Sequence, residues 1–290
     1  MAEATAQIWL VTGASRGLGL DIARAALKAG HKVIACYRNR SRNPSTFDEI
    51  EALGGVWLQI DVVGENAESQ VQSVIAQYGR IDVLVNNAGY PIMGSIEHTG
   101  VDLIDGIFRT NFLGTVRTIQ AALPSMRARR SGTIVNIGSS TAVNPTPGLG
   151  IYSATKAAVE GLTEALQKEI APFNIRALVI HPGMMSTEIL NPDGTGIQLT
   201  LDDAYKGTPV EMTYGGMFNA EYLSTAADPA IVAQRIVDIV DGTGIMAGRD
   251  LGFLIHLGRD TGGCVEARAE QYAGLVNDSK DVWESVYPQP

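Results

Sequence analysis

A short apolar run followed at once by a glycine-rich turn is the feature that most limits how this chain can fold. The run at residues 8–11 has the composition of a buried strand, and residues 12–19 read TGASRGLG. From there to about residue 29, apolar side chains recur at helical spacing. A strand, a glycine turn and a helix in immediate succession are typical of a nucleotide-binding βαβ unit, whereas the glycines alone would be weak evidence.

The glycines of this turn have a chemical interpretation. Gly13, Gly17 and Gly19 let the backbone come close to a pyrophosphate, and the start of the following helix favours its negative charge. The alternative is a tight turn with a purely structural role. The predicted phosphate-binding turn also contains Ser15, Arg16 and Leu18.

The end of the second predicted strand bears on the choice of dinucleotide. This strand covers residues 32–36, and NAD-binding proteins of this kind carry an acidic residue at its end that bonds the ribose 2′-hydroxyl. Here Arg38 stands nearby, and together with Arg16 it suits a 2′-phosphate. Arg40 and Arg42 extend a basic run in a chain of net charge −9, for which solvated loop charges are the alternative explanation. The sequence therefore predicts NADP(H) as the cofactor.

A Ser, a Tyr and a Lys in the second half of the chain point to acid–base chemistry. Tyr152 and Lys156 are one turn apart on a helix predicted for residues 151–171, so they share a face. A free phenol titrates near ~10, and a nearby ammonium favours the phenolate, so we expect a lowered pKa for Tyr152. Ser139 follows a predicted strand at residues 132–137 and is placed to hold a substrate oxygen against the Tyr. On spacing alone, a solvated pair on an amphipathic helix is the more common explanation.

With these motifs in one chain and in this order, the sequence resembles the short-chain dehydrogenase/reductase family. The resemblance extends over about residues 7–258 and includes the tetrad NNAG at residues 86–89, after a strand predicted at residues 81–85. It implies an α/β fold, a single Rossmann-type doubly wound domain over residues 1–290 with about seven parallel strands in the order 3-2-1-4-5-6-7.

The resemblance also implies roles for individual residues. Asn111 lies inside a helix predicted for residues 101–126, where a buried Asn needs hydrogen-bond partners. In the family the matching Asn opens the helix locally and holds a water that links the Lys to solvent. The implied catalytic set is Asn111, Ser139, Tyr152 and Lys156. Beyond the glycine turn and Arg38, the implied cofactor contacts are Asp61, Val62, Asn87, Ala88, Gly89, Tyr152, Lys156, Pro182, Gly183 and Thr187.

This chain departs from the family pattern before the catalytic Ser. The family often has Ser-Ser where this chain has Gly138-Ser139. The spacing to Tyr152 selects Ser139 as the functional hydroxyl, and Ser140 is the alternative. The implied reaction is an NADPH-dependent reduction of a ketone or aldehyde, reversible as a secondary-alcohol dehydrogenase. A non-redox catalyst that retains the cofactor as a scaffold, or an NADP(H)-sensing binding protein, remains open.

Two late segments lie outside the core pattern. Residues 188–228 lose clean periodicity and carry scattered Tyr and Met side chains, which predicts a lid over an apolar or aromatic substrate, with an interface as the alternative. The tail at residues 258–290 exceeds the family core. We expect it to pack on a neighbouring subunit or to cover the site.

Composition limits the other partners. The net charge of −9 argues against nucleic acid or an anionic membrane as a partner. No apolar run reaches the ~18 residues of a membrane span, and the opening residues lack the basic region of a signal peptide, so we expect a cytoplasmic protein. The 2 Cys and 4 His show no ligand spacing, so no metal site is predicted. The family resemblance implies a homodimer or homotetramer that acts on a small carbonyl or alcohol substrate.

Overall fold

The centre of the molecule is a parallel sheet of seven strands, seen in a computed structural model that describes residues 6–40, 44–185, 196–217 and 224–287. Two further short strands form a separate parallel pair. The strands are β1 (Ile8–Val11), β2 (Lys32–Tyr37), β3 (Val56–Gln59), β4 (Val83–Asn86), β5 (Ile92–Met93), β6 (Gly132–Ile137), β7 (Ile175–Pro182), β8 (Ile197–Gln198) and β9 (Leu254–Leu257).

The strand order of the large sheet is β3-β2-β1-β4-β6-β7-β9, and all its neighbours run parallel. In the register, Leu10 of β1 pairs with Ile34 on one side and with Leu84 on the other. The predicted doubly wound order is confirmed. Because the order reverses between β1 and β4, the carboxyl ends of these two strands border the crevice in which such sheets bind ligands.

Helices cover both faces of this sheet. They are α1 (Gly17–Lys28), α2 (Pro44–Ala52), α3 (Ala67–Tyr78), α4 (Val101–Phe108), α5 (Gly114–Arg129), α6 (Ser140–Val143), α7 (Gly150–Ile170), α8 (Pro209–Met217), α9 (Pro229–Asp241), α10 (Arg259–Asp278) and α11 (Lys280–Glu284). A π-helical turn, Arg109–Leu113, joins α4 to α5. Short 3₁₀ turns occupy Ala171–Phe173, Asp203–Tyr205 and Gly244–Met246.

The core lies in two layers because alternate strand residues face opposite sides of the sheet. Trp9 and Val11 join the layer under α1 and α9, whereas Ile8 and Leu10 join the layer under α3, α5 and α7. All four residues of β1 are buried, as expected for a parallel strand covered on both faces. Full burial of an aliphatic or aromatic side chain contributes roughly 1.5–3 kcal/mol to the stability of the fold. The two layers therefore stabilise the sheet whose carboxyl edge carries the site.

Two elements differ from the sequence prediction. The helix predicted for residues 101–126 is interrupted by the π-helical turn and ends later, at Arg129. The pair β5–β8 was not predicted, because two-residue strands leave no periodic signal.

Within the described residues, no helix combines the length and the apolar character needed to cross a bilayer, and no cluster of three or more His, Cys, Asp or Glu is arranged to hold a metal.

Candidate active site

The glycine turn packs tightly against the end of β4. Gly13 has a φ of +64°, and a Cβ there would lie 2.8 Å from the Cα of Ala88. A Cβ on Gly19 would lie 2.5 Å from the carbonyl oxygen of Gly13 and would overlap the Asn87 amide. The Asn87 amide nitrogen donates to the Gly13 carbonyl oxygen at 3.1 Å. Only glycine therefore fits this cradle, and α1 directs the positive end of its dipole towards it from Gly17.

Thr12 fastens this turn to β4, a role that the sequence analysis missed. Its hydroxyl donates to the Val85 carbonyl oxygen at 3.2 Å. The Thr12 hydroxyl oxygen also accepts from the backbone N–H groups of Asn87 at 3.0 Å and Ala88 at 3.1 Å. The carboxyl ends of β1 and β4 are thereby locked together at the crevice. In the sequence, the sign of this role was a Thr directly after the first predicted strand.

A buried polar ladder joins β4 to β6. The Asn86 amide nitrogen donates to Asn136 Oδ1 at 2.8 Å, and Asn86 Oδ1 accepts from Thr118 Oγ1 at 2.6 Å. The Asn136 amide nitrogen donates to Thr163 Oγ1 at 2.9 Å. Because buried amides are costly unless paired, this ladder ties the sheet to α5 and α7 in one arrangement. Asn136, Thr118 and Thr163 were not singled out from the sequence.

Lys156 is buried beneath Tyr152 on α7. Its Nζ donates to the Ile137 carbonyl oxygen at 2.7 Å and lies 5.7 Å from the centroid of the Tyr152 ring. Burial lowers the pKa of the Lys156 ammonium to about 8. The two residues share a helix face, as their spacing predicts.

Ser139 lies where β6 ends and α6 begins. As the residue before α6 it accepts from the Thr141 backbone N–H at 3.2 Å and from the Thr141 hydroxyl at 3.0 Å. Its hydroxyl also hydrogen-bonds the Tyr152 phenol, which favours the phenolate. The structure therefore brings Ser139, Tyr152 and Lys156 together from β6 and α7.

The expected lowering of the Tyr152 pKa is wrong in this structure. Burial of the phenol raises its pKa to about 12, and the hydrogen bond from Ser139 offsets only part of this rise. The Lys156 ammonium points at the Ile137 carbonyl oxygen instead of the phenol. An ammonium engaged in this way does not outweigh the cost of burying a phenolate.

Asn111 lies inside the π-helical turn and is buried. Its Oδ1 accepts from the Tyr90 backbone N–H at 3.0 Å, and its Nδ2 donates to the Tyr90 carbonyl oxygen at 3.0 Å and to Thr155 Oγ1 at 3.1 Å. Thr155 in turn donates to the Tyr152 carbonyl oxygen at 2.7 Å. The helix is widened at Asn111, as the resemblance implies, and the amide braces the catalytic helix. A water relay to Lys156 stays a prediction.

Arg38 directly follows β2 and is exposed. Burial raises the pKa of Tyr90, and the hydroxyl of Thr110 and the charge of Arg38 oppose this rise, which places the guanidinium near the segment after the NNAG tetrad. Arg40 lies elsewhere: it pairs with Glu51 at 3.5 Å and lies over the Phe47 ring, 5.0 Å from its centroid. The basic run is therefore not one cluster, because Arg40 is held on α2, and Arg42 lies outside the described residues.

Four more of the predicted cofactor residues lie at or just after the carboxyl ends of β3 and β7. Asp61 Oδ1 accepts from the Val63 backbone N–H at 3.2 Å, so this carboxylate shapes the turn after β3. Val62 is buried against Gly114, where an added Cβ would lie 2.7 Å from Val62 Cγ2. Pro182 and Gly183 end β7 and are buried. Thr187 lies outside the described residues.

Helix α10, near the C-terminus, forms hydrogen bonds to two loops beside the active site of its own chain. Asp260 Oδ2 accepts from the Met184 backbone N–H at 2.7 Å, and its carboxylate fills the space where Gly183 would carry a Cβ. Arg268 Nε donates to the Val143 carbonyl oxygen at 3.1 Å, at the end of α6. The part of the tail in α10 thus contacts the site of its own chain, one of the two arrangements expected for it. No sequence pattern marked Asp260 or Arg268.

A cavity of about 330 Å³ lies beside the loop that leads into α7. Its lining is mainly apolar and includes Ile96, Pro147, Tyr205 and Val210. Nearby, the Tyr214 hydroxyl donates to the carbonyl oxygens of Met93 at 3.1 Å and Leu199 at 3.0 Å, which anchors the segment after β8. The described part of the predicted lid therefore borders this cavity, which Gly150, two residues before Tyr152, also lines.

Comparison with known proteins agrees with the fold described above. A model of the short chain dehydrogenase family matches residues 7–197. Oxidoreductase claN of Passalora fulva is 42% identical over 207 residues, covering 70% of this chain and 92% of the relative.

Two solved structures are similar over most of their length. The crystal structure of a short-chain dehydrogenase from Streptomyces avermitilis is 32% identical, covers 99% of this chain and 100% of its own, and superposes with a TM-score of 0.86. A variant of actinorhodin polyketide ketoreductase, crystallised with NADPH, is 27% identical, covers 89% and 97% of the two chains, and has a TM-score of 0.71.

Proposed function

Since the chain belongs to the short-chain dehydrogenase family of oxidoreductases, we propose that it reduces a ketone or aldehyde to an alcohol with NADPH, reversibly as a secondary-alcohol dehydrogenase. The observation that carries this proposal is the meeting of Ser139, Tyr152 and Lys156 at the carboxyl edge of a doubly wound sheet. A hydroxyl, a phenol and a buried ammonium at this edge suit the handling of a carbonyl oxygen and its proton.

The dinucleotide fits the residues present. The cradle formed by Gly13 and Gly19 has no room for a Cβ, and the start of α1 supplies the dipole that favours a pyrophosphate. The nicotinamide supplies the hydride, and the protein supplies orientation and proton transfer. Within this chain, the Ser139 and Tyr152 hydroxyls would hold the substrate oxygen.

Tyr152 would give its hydroxyl proton to that oxygen as the alkoxide forms. The raised pKa of Tyr152, about 12, keeps the phenol protonated at neutral pH, so the residue begins the reduction as an acid. Lys156, whose ammonium has a pKa of about 8 and lies 5.7 Å from the centroid of the Tyr152 ring, would turn towards the phenolate that remains and return the proton. The widened helix at Asn111 braces Thr155 and so fixes α7 beneath the substrate.

The preference for NADPH rests on Arg38 and on the residues that flank it. No Asp or Glu follows β2 directly, and the charge of Arg38 acts on the segment that borders the crevice. A guanidinium at this position favours a 2′-phosphate over a free 2′-hydroxyl. The polyketide ketoreductase among the similar structures was crystallised with NADPH, which supports the same choice for this chain.

The substrate we propose is a small carbonyl compound with an apolar or aromatic portion. The mainly apolar cavity by Ile96, Pro147 and Tyr205 supports this class. We also propose a homodimer or homotetramer, on the family resemblance alone, and a cytoplasmic location, because Cys36 and Cys264 are free thiols.

Substitution of the phenol tests the proposal. Tyr152→Phe keeps the ring and removes the proton, so turnover should fall by at least about 10²-fold while NADPH affinity changes only a few-fold. Turnover is followed by NADPH absorbance with a panel of carbonyl compounds, and affinity by NADPH fluorescence. Tyr78→Phe, on α3 and away from the crevice, is the matched control and should behave as wild type.

Two results would contradict the proposal. Undiminished turnover in Tyr152→Phe would mean that the acid lies elsewhere. Conversion of a substrate by wild type without net consumption of NADPH would favour a non-redox catalyst, and NADPH binding with no conversion of any compound would favour a sensor.

A further inference from the structure

A buried histidine fills the space beside Gly138, directly behind the catalytic residues. Gly138 joins Ile137, whose carbonyl oxygen accepts from Lys156, to Ser139. A Cβ on Gly138 would lie 2.6 Å from His181 Nε2 and 3.1 Å from Val179 Cγ2, and would overlap the imidazole carbon beside Nε2. The imidazole thus occupies the room that a side chain at position 138 would need. This accounts for the glycine where the family often has a serine.

The His181 ring is flanked on two sides. The side chain is fully buried at the end of β7, and its Nε2 lies 3.3 Å from a carboxylate oxygen of Glu160, a contact without hydrogen-bond geometry. Glu160 is one helical turn beyond Lys156 on α7, so the catalytic helix itself carries the group that meets the imidazole. On the other side, the His256 ring of β9 stands edge-on, with centroids 5.5 Å apart and planes at 86°.

The charge state of these groups fits a fixed, uncharged ring. Burial, the neighbouring His256 and the Lys156 ammonium lower the pKa of His181 to about 3, so the imidazole is neutral at neutral pH. Burial lowers the pKa of His256. Burial and the charge of Glu164 raise the pKa of Glu160. A neutral ring beside Lys156 adds no repulsion to the ammonium and supplies volume and a polar edge towards Glu160.

We propose that His181 is a positioning residue whose ring, packed between Glu160 and His256, fixes the backbone from Ile137 to Ser139 and thereby the groups that serve Tyr152. This inference rests on the proposed function for its catalytic meaning. A single residue, Gly138, separates Ile137, whose carbonyl oxygen accepts from the Lys156 ammonium, from Ser139. A shift of Gly138 therefore displaces at once the carbonyl oxygen that binds Lys156 and the Ser139 hydroxyl that bonds the phenol.

A double-variant comparison tests this role. His181→Ala removes the ring, and Gly138→Ser introduces a side chain that meets it, so each change alone should lower kcat by roughly 10- to 100-fold through misplacement of the catalytic groups. NADPH affinity should stay within a few-fold of wild type. Gly138→Ser together with His181→Ala should recover most of the lost kcat, because the serine enters the space that the ring leaves. Gly161→Ser, at an open position on α7, is the matched control.

The outcomes separate cleanly. Recovery in the double variant, with the loss in kcat and not in KM, supports the positioning role. Undiminished kcat in His181→Ala, or losses in the double variant that simply multiply, would overturn it.

A second measurement does not depend on turnover and so distinguishes failure of this inference from failure of the proposed function. The pKa of Lys156, about 8, can be followed by NMR of ¹³Cε-labelled lysine. His181→Ala should raise it towards its ordinary value of 10.5, because water enters beside the ammonium, and His181→Phe should keep it low. An unchanged Lys156 titration in His181→Ala would overturn the inference even in a protein that consumes no NADPH. A wild-type protein that converts no carbonyl compound would overturn only the proposed function.

Discussion

Replacing Lys156 by Met should make the protein's stability less dependent on pH while abolishing activity. The Lys156 side chain is buried, and burial lowers the pKa of its ammonium from 10.5 to about 8. Since the folded-state pKa lies below the unfolded one, the folded protein binds this proton more weakly than the unfolded chain does. The stability linked to Lys156 is therefore present above about pH 10.5 and is lost as the pH falls through about 8.

The size of the effect follows from the two pKa values. The difference between 10.5 and about 8 corresponds to roughly 3 kcal/mol, most of which is already lost at pH 7. Met keeps the apolar stem of the side chain and removes the charge. It also leaves the Ile137 carbonyl oxygen without its donor, which costs roughly 1–3 kcal/mol, but this cost does not vary with pH.

The assay compares the free energy of unfolding of wild type and Lys156→Met in denaturant at pH 7 and at pH 10. From pH 7 to pH 10, the free energy of unfolding of wild type should rise by roughly 2–3 kcal/mol relative to that of Lys156→Met. The other titrating groups are the same in both proteins, so their contributions cancel. Lys168→Met, at an exposed position on the same helix, is the matched control and should track wild type. A gap between wild type and Lys156→Met that is equal at both pH values would refute the reasoning.

Three further predictions follow from the cofactor crevice. Arg16→Ala with Arg38→Ala should weaken NADPH binding by about 10-fold or more and leave NADH binding within a few-fold, by fluorescence titration; equal losses would refute the phosphate assignment. Gly19→Ala should reduce the affinity for either dinucleotide by at least about 10-fold, because its Cβ meets the Asn87 amide. Asp260→Ala should raise the KM for NADPH several-fold with little change in melting temperature, since it frees the Met184 backbone N–H. An unchanged KM would show that the turn at Gly183 keeps its conformation without Asp260.

The sequence was a good guide wherever one residue type answers one local requirement. The glycines at the turn after β1, the apolar strands and the Tyr152–Lys156 spacing each follow from short-range geometry, and the strand order followed from the resemblance that these motifs carry. The Tyr152 pKa could not be predicted in this way. Its direction depends on how deeply the phenol is buried and on where the ammonium points, and both depend on the packing of β6 against α7.

Residues that act across long stretches of sequence were also beyond reach. Asn136 meets Asn86 only because β4 and β6 lie in register, and Asp260 meets Gly183 only because β9 pairs with β7. Gly138 was noticed as a departure, but its cause lies in His181, which no pattern within the segment shows. Tertiary contact decided each of these cases.

The position of Asp260 and Arg268 after β9 has a consequence for synthesis. A chain emerging from the ribosome can assemble β1 to β7 and place Tyr152 on its helix before either of these residues exists. The turn at Gly183 and the end of α6 gain their outside supports only when α10 is made. Nascent or prematurely ended chains would thus carry Tyr152 and Lys156 without the contacts of α10 to the neighbouring loops. Full activity would require synthesis of α10.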